Sequence, residues 1–265
     1  MTGKLETMNR IDQAFEKESS RLLNVYFTAG FPNHGDTIRI IKSLEKGGAD
    51  LVEIGIPFSD PVADGPTIQE SSTRALNNGM TLKSLFEQLE DLRNEVSIPV
   101  LLMGYINPIL QFGFNNFCQR CKECGVDGLI LPDLPMYEYE QLYKDVLKEN
   151  GLYNVFLISP QTSVDRIRKI DELSSGFIYM VSSSSITGAK GAITDEQLAY
   201  FERVRSMELK NKRLIGFGIS NHQTFNQACE YADGAIIGSA FIKQLMDDAS
   251  DDSIIGFVKK IKEGK

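Results

Sequence analysis

Short apolar, β-branched runs alternate with stretches of helical period along the whole chain, and this alternation limits the fold more than any other feature. It is the pattern of repeated βα units around a parallel sheet. Eight strands are predicted: LLNVYFTAG (22 to 30), ADLVEIGIP (49 to 57), IPVLLMGY (98 to 105), VDGLILPD (126 to 133), YNVFLISP (153 to 160), GFIYMVSS (176 to 183), RLIGFGIS (213 to 220) and DGAIIGS (233 to 239). Helices are predicted near 36–47, 67–95 in two pieces, 107–124, 136–149, 163–173, 194–208, 221–231 and 239–262. Thr194 with Gln197 and Ser220 with Gln223 have the spacing of capping boxes. An additional amphipathic segment, MNRIDQAFEKES, precedes the first strand and is placed to close the bottom of a barrel, while residues 1–7 read as a flexible tail.

Eight strand–helix units predict a (β/α)₈ TIM barrel with an extra N-terminal helix, although a doubly wound sheet shares much of this pattern. The 265 residues suit one such domain, and no linker rich in Gly, Ser or Pro divides them. A net charge of −8 argues against a nucleic-acid or anionic-membrane surface. No apolar run reaches the roughly 20 residues of a membrane helix, and the N-terminus lacks the apolar stretch of a signal peptide, so a cytoplasmic protein is expected. Cys118, Cys121 and Cys124 recur every third residue, which puts them on one helix face. The fourth ligand and proline of a ferredoxin run are absent, so they read as small buried core residues. His34 and His222 read as loop and helix-start residues, and no metal site is expected.

The stretch VEIGIPFSDPVADGP (52 to 66) carries three carboxylates at the end of an apolar strand. Side chains alternate along a strand, so Val52, Ile54 and Ile56 share the face toward the helices, and Glu53 points into the barrel. An unpaired carboxylate there is costly unless a partner or substrate compensates. Glu53 lies near the strand's C-terminal end, where barrels place their chemistry, and Asp64 follows in the loop above it. The structural alternative is neutralisation of Glu53 by an Arg or Lys from another strand.

Three glycine-bearing segments end the last three strands: SSSSITGAKG (182 to 191), GFGIS (216 to 220) and IGSAF (237 to 241). They read either as tight turns or as a cradle for a phosphate on backbone N–H groups and a helix N-terminus, with Ser239 placed to cap the last helix. Tyr26, Tyr105, Tyr179 and Phe217 read as core residues singly and as the walls of a slot together.

The motif VEIGIPFSDPVADGPTIQ, followed in order by LMGYINPI, ITGA, GFGIS and IGSAF and preceded by YFTAGFP, resembles the signature of the tryptophan synthase alpha subunit family over about residues 9 to 260. The resemblance implies a (β/α)₈ barrel lyase that cleaves indole-3-glycerol phosphate to indole and glyceraldehyde 3-phosphate without metal or cofactor. It implies that Glu53 shuttles protons and that Asp64 holds the indole N–H. Phosphate would rest on Gly188, Gly218, Gly238 and Ser239, with Tyr179 and Phe217 beside the indole, Tyr26 and Tyr105 lining the pocket, and Thr187 closing a lid. It further implies an alpha2beta2 assembly in which a pyridoxal-phosphate-dependent beta subunit takes the indole, with contacts near Asp60 and LPDLP (131 to 135). Ser183 and Ser185 stand where the family commonly has Arg and Gly, and SPQT (159 to 162) where it often has APTT. Another barrel lyase or isomerase acting on a sugar phosphate, including a stand-alone indole-releasing relative, and an idle barrel that only binds and activates the beta subunit are the neighbouring readings.

Overall fold

Residues 8–62, 64–181, 194–216 and 218–264 are described in the computed structural model of the chain. Nine parallel strands form one sheet: β1 (Leu22–Thr28), β2 (Leu51–Gly55), β3 (Val100–Met103), β4 (Gly128–Ile130), β5 (Tyr153–Val155), β6 (Leu157–Ile158), β7 (Phe177–Val181), β8 (Lys212–Gly216) and β9 (Gly234–Ile237). Their order is β5-β4-β3-β2-β1-β9-β8-β7-β6. The two ends of that order are separated in the chain by Phe156 alone, so the sheet closes into a barrel. The predicted fifth strand is thus one run that changes partner midway: Tyr153 pairs with Gly128 of β4, and Leu157 pairs with Tyr179 of β7. Phe156 keeps the seam bonded, its carbonyl accepting from Tyr179 N at 2.9 Å.

Period-two alternation sorts the strand side chains into two packed clusters. Val25, Phe27, Val52, Ile54, Val100, Leu102, Ile178 and Ile215 face outward and pack with the helices. Cys118, Cys121 and Cys124 belong to that outer core, on the helix Phe114–Cys124. Leu22, Leu51, Leu101, Ile130, Val155, Phe177, Leu214 and Ile236 fill the interior together with Ile11 and Phe15. The last two come from the helix Arg10–Lys17, which plugs the bottom of the barrel.

That plug is fastened by Asp127, a buried carboxylate at the foot of β4. Its oxygens accept from Arg10 at 2.9 Å, from Arg93 at 2.6 Å and from Val100 N at 2.8 Å, while its carbonyl accepts from Asn9 Nδ2 at 3.0 Å. A rigid bottom leaves the polar residues of the interior at the other end, toward the C-termini of the strands.

Several helices are shorter than the periodicity suggests. The 67–95 pattern is three helices, Pro66–Asn77, Leu82–Leu89 and Leu92–Glu95. The 107–124 pattern breaks at Gly113, and the 239–262 pattern at Asp248–Ser250, where the Ser250 hydroxyl caps the helix Asp251–Glu263. Thr194 and Gln197 form a capping box. Ser220 and Gln223 do not: the box is made one residue later by Asn221 and Thr224, because Asn221 Oδ1 accepts from Thr224 N at 2.9 Å. Among the described residues, no helix is long and apolar enough to cross a membrane.

Removing the Asp127 carboxylate is expected to destabilise the fold by about 2–4 kcal/mol. This lies below the ~3–5 kcal/mol typical of a broken buried pair, because Arg93 keeps the carbonyls of Gly125 and Ile98 as partners. Urea unfolding of Asp127→Ala checks it, and a loss below about 1 kcal/mol would contradict this account of the plug.

Candidate active site

Along β1 the inward positions are Asn24, Tyr26 and Thr28, and along β2 they are Leu51, Glu53 and Gly55. Register sets Tyr26 beside Glu53 and Thr28 beside Gly55. Glu53 is fully buried, and among the described residues no Arg or Lys forms an ion pair with it. Its described partner is Asn24, whose Nδ2 donates to Oε1 at 2.5 Å, whereas Oε2 has none among the described residues. Burial pushes the Glu53 carboxyl up to about 8, against the opposing hydrogen bond from Asn24. Such a group changes protonation near neutral pH, the condition for an efficient proton shuttle.

Asp64 lies in the loop between β2 and the helix Pro66–Asn77. Tyr105, at the end of β3, donates its hydroxyl to Asp64 Oδ2 at 3.0 Å and accepts from Val62 N at 3.2 Å. The carbonyl of Asp64 accepts from Gln69 Nε2 at 2.7 Å, so both backbone and side chain are held. Partial burial raises its carboxyl above the usual range, and the Tyr105 bond draws it back. Tyr105 is itself fixed from two sides. Its ring packs on Phe58 at 5.2 Å between centroids, and the next residue, Ile106, donates its N–H to Asp133 at 2.9 Å.

Two glycines make space for the two inward tyrosines. A Cβ on Gly55 would stand 2.0 Å from Tyr26 Oη, and one on Gly216 would stand 2.4 Å from Tyr179 Oη. No other residue type fits such approaches. Tyr26 and Tyr179 each sense the charges of both Glu53 and Asp64, which with burial raises both phenols. The two carboxylates therefore share one chamber with the two tyrosines.

Gly238 adjoins that chamber, since a Cβ there would meet the Tyr26 ring at 3.4 Å. It occupies the cap position of the helix Ser239–Asp247. Ser239 is the first helical residue rather than the cap, and no side chain among the described residues caps this end, so its backbone N–H groups suit an anion. Gly218 follows β8, outside the strand. Phe217, Thr187 and Gly188, together with Ser183 and Ser185, lie outside the described residues. Among the described residues no group of His, Cys, Asp and Glu is arranged to hold a metal ion.

Sequence reading missed Asn24 as the partner of Glu53, and Gly55 and Gly216 as the seats of the tyrosines. The polar position Asn24, two before Tyr26 on the same strand face, is the signal that points to it. The buried pair Thr28 and Ser71, with hydroxyls 2.6 Å apart, was missed as well and ties the top of β1 to the helix after Asp64.

A family model described as tryptophan synthase alpha chain matches residues 13–262. The chain is 58% identical over 254 residues to the tryptophan synthase alpha chain of Flavobacterium psychrophilum, covering 96% of this chain and 100% of that one. To that of Bacteroides fragilis it is 50% identical over 254 residues, covering 96% and 97%. Among solved structures, the tryptophan synthase alpha chain from Legionella pneumophila subsp. pneumophila aligns with a TM-score of 0.86 at 34% identity over 96% of each chain. Tryptophan synthase from M. tuberculosis in its aminoacrylate-bound form aligns with a TM-score of 0.84 at 25% identity, covering 96% of this chain and 98% of that one.

The raised Glu53 carboxyl has a consequence for stability. In the unfolded chain the group ionises near its ordinary 4.5, and in the folded chain only near 8. Between those values the unfolded state holds fewer protons, so stability falls as pH rises. Glu53→Gln is therefore expected to unfold later than the native chain at pH 8, by about 2–4 kcal/mol, with the difference fading toward pH 4. Thermal unfolding across that range checks it, and a pH-independent difference would contradict it.

Proposed function

Because the chain belongs to the tryptophan synthase alpha chain family, we propose that Glu53 and Asp64 are the two carboxylates that carry its reaction. That reaction is the alpha reaction of tryptophan biosynthesis, the retro-aldol cleavage of indole-3-glycerol phosphate to indole and glyceraldehyde 3-phosphate, so the chain is a carbon–carbon lyase. The alpha chain is the cofactor-free subunit of the family, and pyridoxal phosphate belongs to the beta subunit. The observation that carries the assignment is a fully buried glutamate, with no cation paired to it among the described residues, close to the same two tyrosines as an aspartate tethered by Tyr105.

A proton delivered to the indole ring carbon takes an electron pair from the ring and leaves positive charge at the ring nitrogen. Asp64, held by Tyr105, accepts the ring N–H and stabilises that charge. Glu53 removes the proton of the adjacent glycerol hydroxyl. The oxygen's electrons form the new carbonyl, the carbon–carbon bond breaks, and its electron pair restores the aromatic ring. One proton is gained by carbon and one lost by oxygen, so a single carboxyl alternating between its two states serves both transfers.

The phosphate rests on the backbone at Gly238 and Ser239, with Gly218 and Gly188 completing the cradle. Support comes from the N-terminus of the helix Ser239–Asp247, which no described side chain caps and whose cap residue, Gly238, would place a Cβ 3.4 Å from the Tyr26 ring. Tyr179 and Phe217 lie beside the indole, Tyr26 and Tyr105 line the pocket, and Thr187 closes over it. We read the chain as one barrel domain.

The family supports a beta-subunit partner in general. We infer an alpha2beta2 assembly in the cytoplasm, formed through the barrel mouth near Asp60 and residues 131–135. Val62, 83% exposed in the loop after β2, and Tyr137, 74% exposed on the short helix Met136–Glu138, support this face. An enclosed transfer has a physical motive, because apolar indole released to water would be lost.

Indole release from indole-3-glycerol phosphate, measured with and without a beta subunit, tests the reading. Glu53→Gln and Asp64→Asn are expected to lose about 10²–10⁴-fold in rate while remaining folded. Co-elution with the beta subunit is expected for the native chain. Undiminished release by Glu53→Gln would overturn the assignment.

A further inference from the structure

Asn24 is fully buried in the barrel interior, on β1 beside Leu51 and two residues before the tyrosine that neighbours Glu53. Its Nδ2 donates to Glu53 Oε1 at 2.5 Å. Its own oxygen, Oδ1, has no partner among the described residues, and neither has Glu53 Oε2. A buried asparagine that serves only packing satisfies both ends of its amide. This one leaves its acceptor unused and aims its donor at one oxygen of the carboxyl.

We propose that Asn24 is a positioning residue for the reaction: its amide occupies Glu53 Oε1, so that Oε2 is the oxygen that takes and returns the travelling proton. The proposal rests on the reading of Glu53 as the proton shuttle and deepens it to a single atom. Among the described residues, the groups facing Glu53 are few. β1 contributes Asn24 and Tyr26, β7 contributes Tyr179, and the loop after β2 contributes Asp64 with Tyr105 behind it. β3 offers Leu101 opposite Glu53 and Met103 beyond it. Among these, Tyr26, Tyr179, Tyr105 and Asp64 are neutral or negative, and Asn24 alone donates to the carboxylate.

Asn24 thereby has a second effect. A hydrogen bond to the ionised form favours that form, so the amide offsets part of the burial and keeps the base state of Glu53 within reach at neutral pH. Without it, Glu53 would remain protonated to higher pH, and Oε1 would compete with Oε2 for the proton.

The pH dependence of kcat/KM for indole release tests this in Asn24→Leu, which keeps the volume and removes the donor. The alkaline limb, along which the rate falls as Glu53 loses the proton it must first deliver, is expected to move up by roughly one to two pH units. The pH dependence at pH 7 then changes little, and well above both limbs the rate relative to the native chain gains about tenfold per unit of displacement. Asn24→Asp keeps the shape and replaces the donor by a second carboxylate, so its limb is also expected to move up. It serves equally if the leucine variant does not fold. A purely structural role would lower the rate equally at every pH and leave the limb in place, and that result in both variants would overturn the proposal. Glu53→Gln separates the two levels. If it keeps the native limb, the assignment of Glu53 falls and the role of Asn24 with it. If it abolishes activity while both Asn24 variants keep the native limb, only the role of Asn24 falls.

Discussion

The desolvation of one carboxyl group governs this barrel. Glu53 stands in the barrel interior between Tyr26 and Leu101 with no cation paired to it among the described residues, and burial holds its proton to about pH 8. Placed at the protein surface the same side chain would be fully ionised at neutral pH and a weak base. The surrounding features either maintain that burial or moderate it. The helix Arg10–Lys17 and the apolar interior close the lower end, and Asn24 supplies the single described hydrogen bond that restores some stability to the anion.

Shape follows from the same requirement. Tyr26 and Tyr179 fill the chamber around Glu53, and they fit because Gly55 and Gly216 present no side chain to them. Asp64 sits differently: it rides on a loop and owes its position to Tyr105, which Phe58 and the neighbouring Asp133 hold in turn. One carboxyl is thus fixed by the rigid sheet and the other by a chain of contacts across three loops. That division suits a site in which the proton-transfer group must not move while the group that grips the substrate can adjust.

The inward direction of Glu53 was legible because strand alternation is local: knowing one face of ADLVEIGIP fixes the other. The plug helix was legible from its amphipathic period. Asn24 escaped notice because its meaning depends on the register between β1 and β2, which neighbouring residues in the chain do not encode. The division of the fifth strand at Phe156 has the same origin, since a single β run can hand over from β4 to β7 without any break in its sequence pattern. Asn221 and Gly238 displaced Ser220 and Ser239 from the cap positions, a shift of one residue that composition alone does not resolve. The serine-rich segment read as a lid, with Thr187 and Gly188, lies outside the described residues.

The central claim is that Glu53 holds its proton at neutral pH before any substrate arrives. Infrared difference spectroscopy of the ligand-free protein across pH 5–10, with the band assigned by its absence in Glu53→Gln, measures this most directly. The account predicts a protonated carboxyl band that disappears with a midpoint near 8. A carboxylate already ionised at pH 5–6 would contradict it, and the barrel would then have to manage a buried anion by means other than those described.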